Sequence, residues 1–81
     1  METSPAVDLA LVMEAREAAR SGRGERLRTA AGISQGELAA AIGVTPACIS
    51  RWEAGDRRPR GVAAMAYAQL LRSLAQRMVA A

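Results

Sequence analysis

Apolar residues along this 81-residue chain recur at helical spacing, and no segment alternates as a strand bounded by turns would. Ser4-Pro5 reads as a helix start, with Ser as N-cap and Pro at the first helical position. The first four residues are expected to fray. A helix follows over Val7–Arg20, with Leu9, Val12, Met13 and later Ala19 as its apolar stripe. Glu14, Arg16, Glu17 and Arg20 form its wet face. Ser21-Gly22-Arg23-Gly24 breaks it, because each mid-helix glycine costs about 1 kcal/mol relative to alanine.

A second helix is predicted from about Arg23 to Ala31, with Leu27 turned inward and Gly32 as its left-handed terminus. Ser34 with Glu37 three residues on spells a capping box for a helix running to Ile42. Thr45-Pro46 repeats the Ser4-Pro5 logic and opens a helix ending at Gly55. Residues 56–61 form a loop. A last helix spans Val62 to about Val79, with Val62, Met65, Ala66, Leu70, Leu74 and Met78 on overlapping stripes. The fold class is therefore all-α, a compact bundle of about five helices in one domain (N-terminal helix 5–20, motif core 23–60, C-terminal helix 62–79).

The informative segment is Gln35 to Trp52. Two short helical patterns meet there at Gly43, anchored by Leu38, Ile42, Val44, Ile49 and Trp52, with Ala39 small where the helices cross. Such a pair crosses steeply and makes its second helix stand out from the body. A helix held that way fits the major groove of DNA.

Composition narrows the picture. Apolar residues make up 51%, but alanine inflates that figure, and there is no Phe, one Trp and one Tyr. The core should be thin, built from Leu, Ile, Val, Met and Trp with alanines at close crossings. All eleven basic residues are arginine, and the net charge is +3. Residues 1–22 carry two Arg against four acids, and residues 23–81 carry nine against four. A basic body behind an acidic front suits a polyanion on one face.

Other chemistries are poorly supplied. One cysteine and no histidine exclude an internal disulfide and a Cys/His metal site. No Ser-His or Cys-His set, phosphate-cradling glycine loop or acid pair for proton transfer is present, so no enzyme and no cofactor is expected. Cys48 reads as a small neutral filler in the first turn of its helix. No apolar run reaches membrane-spanning length, and no basic leader precedes an apolar stretch. The expectation is a cytoplasmic, nucleoid-associated protein, bacterial or phage-encoded, with no membrane partner and no small-molecule effector.

Leu27-Arg28, Gly32-Ile33-Ser34-Gln35, Glu37-Leu38-Ala39, Ile42-Gly43-Val44, Ile49-Ser50-Arg51-Trp52-Glu53, Gly55 and Pro59 together resemble the lambda-repressor/Cro-like (XRE) helix-turn-helix family. The resemblance covers residues 26–60, a little under half the chain. It implies a DNA-binding transcriptional regulator, usually a homodimer on an inverted-repeat operator of double-stranded DNA. It also implies an ion pair between Arg28 and Glu53 and a phosphate contact from Gln35. Two departures stand out. Gly24 occupies a place that is often apolar in the family, and the Val7–Arg20 helix is expected to supply that packing. The tail is one long helix where the family often has two short ones.

On this reading the outward face of Thr45–Ala54 meets DNA. Arg51 is the leading base reader, since a guanidinium bonds both O6 and N7 of guanine. Ser50 donates to a base or a phosphate. Pro46 and Ala47 offer no donors; they touch a thymine methyl or let the helix sit deep. Thr45 caps the helix and is a phosphate candidate. Arg57, Arg58 and Arg60 follow the helix and are placed along the backbone, with a narrow minor groove as the alternative for Arg60. Trp52 falls on the buried face with Ile49. On the last helix Leu70, Leu71, Leu74, Met78 and Val79 look to more than one side, and Leu71, Leu74 and Met78 are the expected dimer contact. The leading function is a phage-type repressor, Cro-like protein or controller protein. The alternatives are an antitoxin-type module that binds a partner protein and represses its own promoter, and a helix-turn-helix scaffold without DNA binding.

Overall fold

The computed structural model describes residues 6–80 and has five helices. They are α1 (Leu9–Ser21), α2 (Arg23–Ala30), α3 (Gln35–Ile42), α4 (Pro46–Ala54) and α5 (Gly61–Ala80). No strand occurs among the described residues. The protein is all-α, as its periodicity predicts.

Local chemistry sets most boundaries. The Asp8 carboxylate accepts from the N–H groups of Ala10 (3.0 Å) and Leu11 (3.4 Å), so α1 opens at Leu9. This corrects the expected start: Val7 and Asp8, expected inside the helix, precede it, while Ser4, Pro5 and the residues before them lie outside the described residues. Ser34 and Glu37 form the full capping box: Ser34 Oγ accepts from Glu37 N (2.9 Å), and Glu37 Oε1 accepts from Ser34 N (2.8 Å). Thr45 Oγ1 accepts from Cys48 N (3.1 Å), with Pro46 in the first turn behind it. Between α3 and α4 the chain reverses at Gly43 (φ 81°), where the N–H groups of Gly43 and Val44 both return to Ala39 O. A side chain at that φ would be strained, which is why glycine stands there.

α1 and α5 share the most extensive helix-helix packing, and α3 packs on α4. The α1 face in the core is Leu11, Val12, Ala15, Ala18 and Ala19. This corrects the expected stripe, because Leu9 and Met13 are 70% and 67% exposed. The three alanines decide the matter: they let α5 come close, which a Leu9/Met13 face would not. On α5 the buried set is Ala64, Tyr67, Ala68, Leu71 and Leu74, while Val62 is exposed and Met65, Ala66 and Leu70 are half-buried. Leu71 and Leu74, expected at a subunit interface, retain 1% and 7% exposure and are core residues of their own chain. That correction leaves Met78 as the accessible member of the expected dimer set. Leu27 is partly buried against the core.

Tyr67 is the residue that the sequence does not announce. It is fully buried and stacks on Trp52, with ring centroids 5.0 Å apart at 47°. Its ring lies over Gly24, where a Cβ would sit 3.1 Å from Tyr67 Cζ and closer still to the hydroxyl. The packing at Gly24 thus comes from α5, not from α1 as expected. The Tyr67 hydroxyl has no hydrogen-bond partner among the described residues. Burial, with a smaller push from the Glu53 carboxylate, raises the phenol to about 12.

Gly24→Ala is therefore expected to destabilise by about 1–3 kcal/mol through overpacking. Tyr67→Phe removes the unpaired hydroxyl and relieves the crowding, so it should be neutral or stabilising and should recover much of the Gly24→Ala loss. Urea denaturation of the two single variants and the double variant checks both. A phenol with a raised folded-state pKa stabilises fully below its ordinary value of 10.0 and ceases to do so as pH climbs towards about 12. That alkaline loss should be smaller in Tyr67→Phe.

Candidate nucleic-acid interface

α4 divides cleanly into two faces. Ile49 and Trp52 are buried, whereas Pro46, Ala47, Ser50, Arg51 and Ala54 are exposed along the other side. Thr45 is exposed as well, although its hydroxyl is committed to the cap. The exposed strip is short and mostly small, with one long cation at Arg51. An outward helix of this kind can enter a groove without steric obstruction from large side chains.

Behind α4 lies a buried polar lock. Arg28 Nε donates to Glu53 Oε2 (2.7 Å) and Arg28 Nη2 to Glu53 Oε1 (3.0 Å). Arg28 Nη1 donates to the carbonyl of Ile33 (2.9 Å), and Gln35 Nε2 donates to Glu53 Oε1 (2.9 Å). The Arg28 and Glu53 side chains are 9% and 4% exposed. The Glu53 hydrogen bonds hold the guanidinium of Arg28 even more firmly protonated than usual. The Glu53 carboxylate thus ties α2 and the start of α3 to α4, and Arg28 holds the turn before α3 as well, which fixes the angle at which α4 projects. Gln35, the expected phosphate contact, is half-buried and already has one amide N–H in this lock. Its amide oxygen and second N–H have no such partner among the described residues.

After α4 the chain turns at Gly55, and the N–H groups of Asp56 (2.9 Å) and Arg57 (3.3 Å) return to Arg51 O. Arg57, Arg58 and Arg60 are exposed, and Pro59 between them is buried. The carbonyl of Pro59 accepts from Arg16 Nε of α1 (2.8 Å). Arg16 therefore leaves the wet face assigned to it and joins the three loop arginines around one concave surface. No local pattern signals this contact, since 43 positions separate Arg16 from Pro59. A second cross-link joins α1 to α5, where Arg72 donates twice to Glu14 (2.8 and 2.6 Å). Those bonds hold the Glu14 carboxyl below its usual range. Arg72 is exposed and Glu14 half-buried, so solvent screens the pair and it adds little to stability.

A family model for the helix-turn-helix matches residues 25–76, nearly two thirds of the chain. The protein belongs to this helix-turn-helix family, of the XRE, lambda-repressor/Cro-like type. This helix-turn-helix protein is accordingly a DNA-binding regulator, and the matched segment contains α3, the Gly43 turn and α4. No curated protein and no solved structure matches it. α1 precedes the matched segment but is packed into the same core. No helix among the described residues is long and apolar enough to cross a membrane.

Proposed function

We infer that this helix-turn-helix protein recognises a specific operator in double-stranded DNA and represses by occluding a promoter, as a phage-type repressor, Cro-like protein or controller protein does. One observation carries the reading: the exposed side of α4 presents Arg51, and the Gly55 turn after it leads into the Arg57–Arg60 loop, while the opposite side of α4 is anchored by Trp52 and Glu53. A rigid projecting helix followed by cations is the arrangement that groove entry and backbone attachment require.

Arg51 reads a base, Ser50 a base or phosphate, and Pro46 and Ala47 allow close approach. Gln35, Thr45, Arg57, Arg58 and Arg60 hold phosphates. With few polar groups on α4, DNA shape supplies part of the discrimination. The protein acts as a homodimer on an inverted repeat, with its two α4 helices about 34 Å apart to meet successive major grooves. Met78 and Val79 at the end of α5, 38% and 87% exposed, together with Leu9 and Met13 on α1, are among the apolar side chains open to a second copy.

Selection of bound fragments from random DNA tests this directly. A palindromic consensus is expected; recovery of no sequence preference would sink it. In the same assay Arg51→Ala should weaken binding to the selected site by about 1–3 kcal/mol and relax preference at one base pair. Arg57→Ala should weaken selected and unrelated duplexes alike. An Arg51→Ala protein with unchanged preference would show that this residue does not read a base.

A further inference from the structure

The concave surface lined by Arg16, Arg57, Arg58 and Arg60 has a volume of about 330 Å³. Ion pairs elsewhere use Arg20 with Glu17, Arg28 with Glu53 and Arg72 with Glu14. None of the four pocket arginines has a carboxylate partner among the described residues. Four uncompensated guanidiniums in one hollow repel each other, and that repulsion is relieved by an anion. Solvated arginines would be free to splay apart. Here Arg16 is half-buried and tied through Nε to Pro59 O at 2.8 Å, and Pro59 is itself buried. The loop is thereby pinned to α1, so part of the ordering is done before any ligand arrives.

We propose that Arg16, Arg57, Arg58 and Arg60 form a phosphate-binding site, and that α1, which lies outside the matched family segment, supplies Arg16 to it. Planar guanidinium forks suit phosphate oxygens because they donate in pairs. The phosphate has two possible sources: the backbone of duplex DNA, or a free phosphorylated small molecule. The first source rests on the function proposed above; the site itself does not. A neighbouring recess of about 250 Å³, floored by Ala19, Trp52 and Pro59, shares Arg16, Arg57 and Arg58. It gives a free ligand room for an apolar part.

The test uses the full chain with Arg16→Gln, Arg16→Lys and, as a one-charge control on the last turn of α5, Arg77→Gln. Melting is followed during titration with inorganic pyrophosphate, and duplex binding is followed as a function of salt. Pyrophosphate is expected to raise the melting temperature of the wild type, Arg77→Gln and Arg16→Lys, and to do so much less for Arg16→Gln. For a backbone phosphate, the steepness of log affinity against log salt should also fall by about 0.9 per bound chain, about 1.8 for a dimer, in Arg16→Gln and persist in Arg16→Lys. Loss of the pyrophosphate effect with an unchanged salt slope assigns the site to a free phosphorylated ligand. If the wild type binds no duplex at any salt, the DNA reading fails and the pyrophosphate titration alone decides the site. The proposal is overturned if neither measurement distinguishes Arg16→Gln from Arg77→Gln. It is equally overturned if Arg16→Gln and Arg16→Lys lose both responses together, since Arg16 then merely props Pro59.

Discussion

Arg28→Met is expected to lower the unfolding free energy by about 3–5 kcal/mol, because it leaves the Glu53 carboxylate buried without its cation. Glu53 would keep only the Gln35 amide, and the carbonyl of Ile33 would lose its donor too. For a small domain of marginal stability that is a large fraction of the whole. A variant with both Arg28 and Glu53 replaced by methionine should recover much of the loss, since a buried ion pair and a well-packed apolar pair are often close in free energy. The recovered protein should nevertheless bind DNA less tightly, because the angle of α4 is no longer fixed from behind. Urea denaturation and duplex titration separate the two effects. A loss under about 1 kcal/mol in Arg28→Met would mean that the pair behaves as a solvated surface bridge.

The second large effect is electrostatic. Duplex affinity should drop roughly a thousandfold between 50 and 200 mM salt if about six phosphates are contacted per complex. The contributors are Arg57, Arg58 and Arg60, repeated in each half of a dimer. Each neutralised phosphate releases counterions, and that release is worth less as salt rises. Fluorescence anisotropy of a labelled duplex across that range measures the slope. An affinity that stays flat would indicate a scaffold that has lost DNA binding.

The α3–α4 pair is legible in the sequence because its signals are local. Ser34 with Glu37, Thr45 with Pro46, and Gly43 each act on neighbours within four residues, so reading them needs no tertiary knowledge. The faces of α1 and α5 are harder. Both helices are rich in alanine, which is apolar on any side, so periodicity alone leaves several stripes open. The choice of Leu11 over Leu9, and of Tyr67 and Leu71 over Val62, was made by how closely the two helices can approach. Tyr67 over Gly24 is a contact across 43 positions, and neither residue carries a mark of the other. The same holds for Arg16 and Pro59. The expected subunit contact failed at Leu71 and Leu74 for a related reason: a thin core claims whatever leucines it can reach.

The union of α1 with α5 bears on where the unit of inheritance and the unit of folding coincide. The matched segment starts at residue 25, yet Leu11, Val12, Ala15, Ala18 and Ala19 close the interior from outside it. A piece cut to residues 25–76 would carry a bare oily trench along its longest rod. This regulator's matched segment is therefore expected to need the leading rod, which serves it as structural masonry.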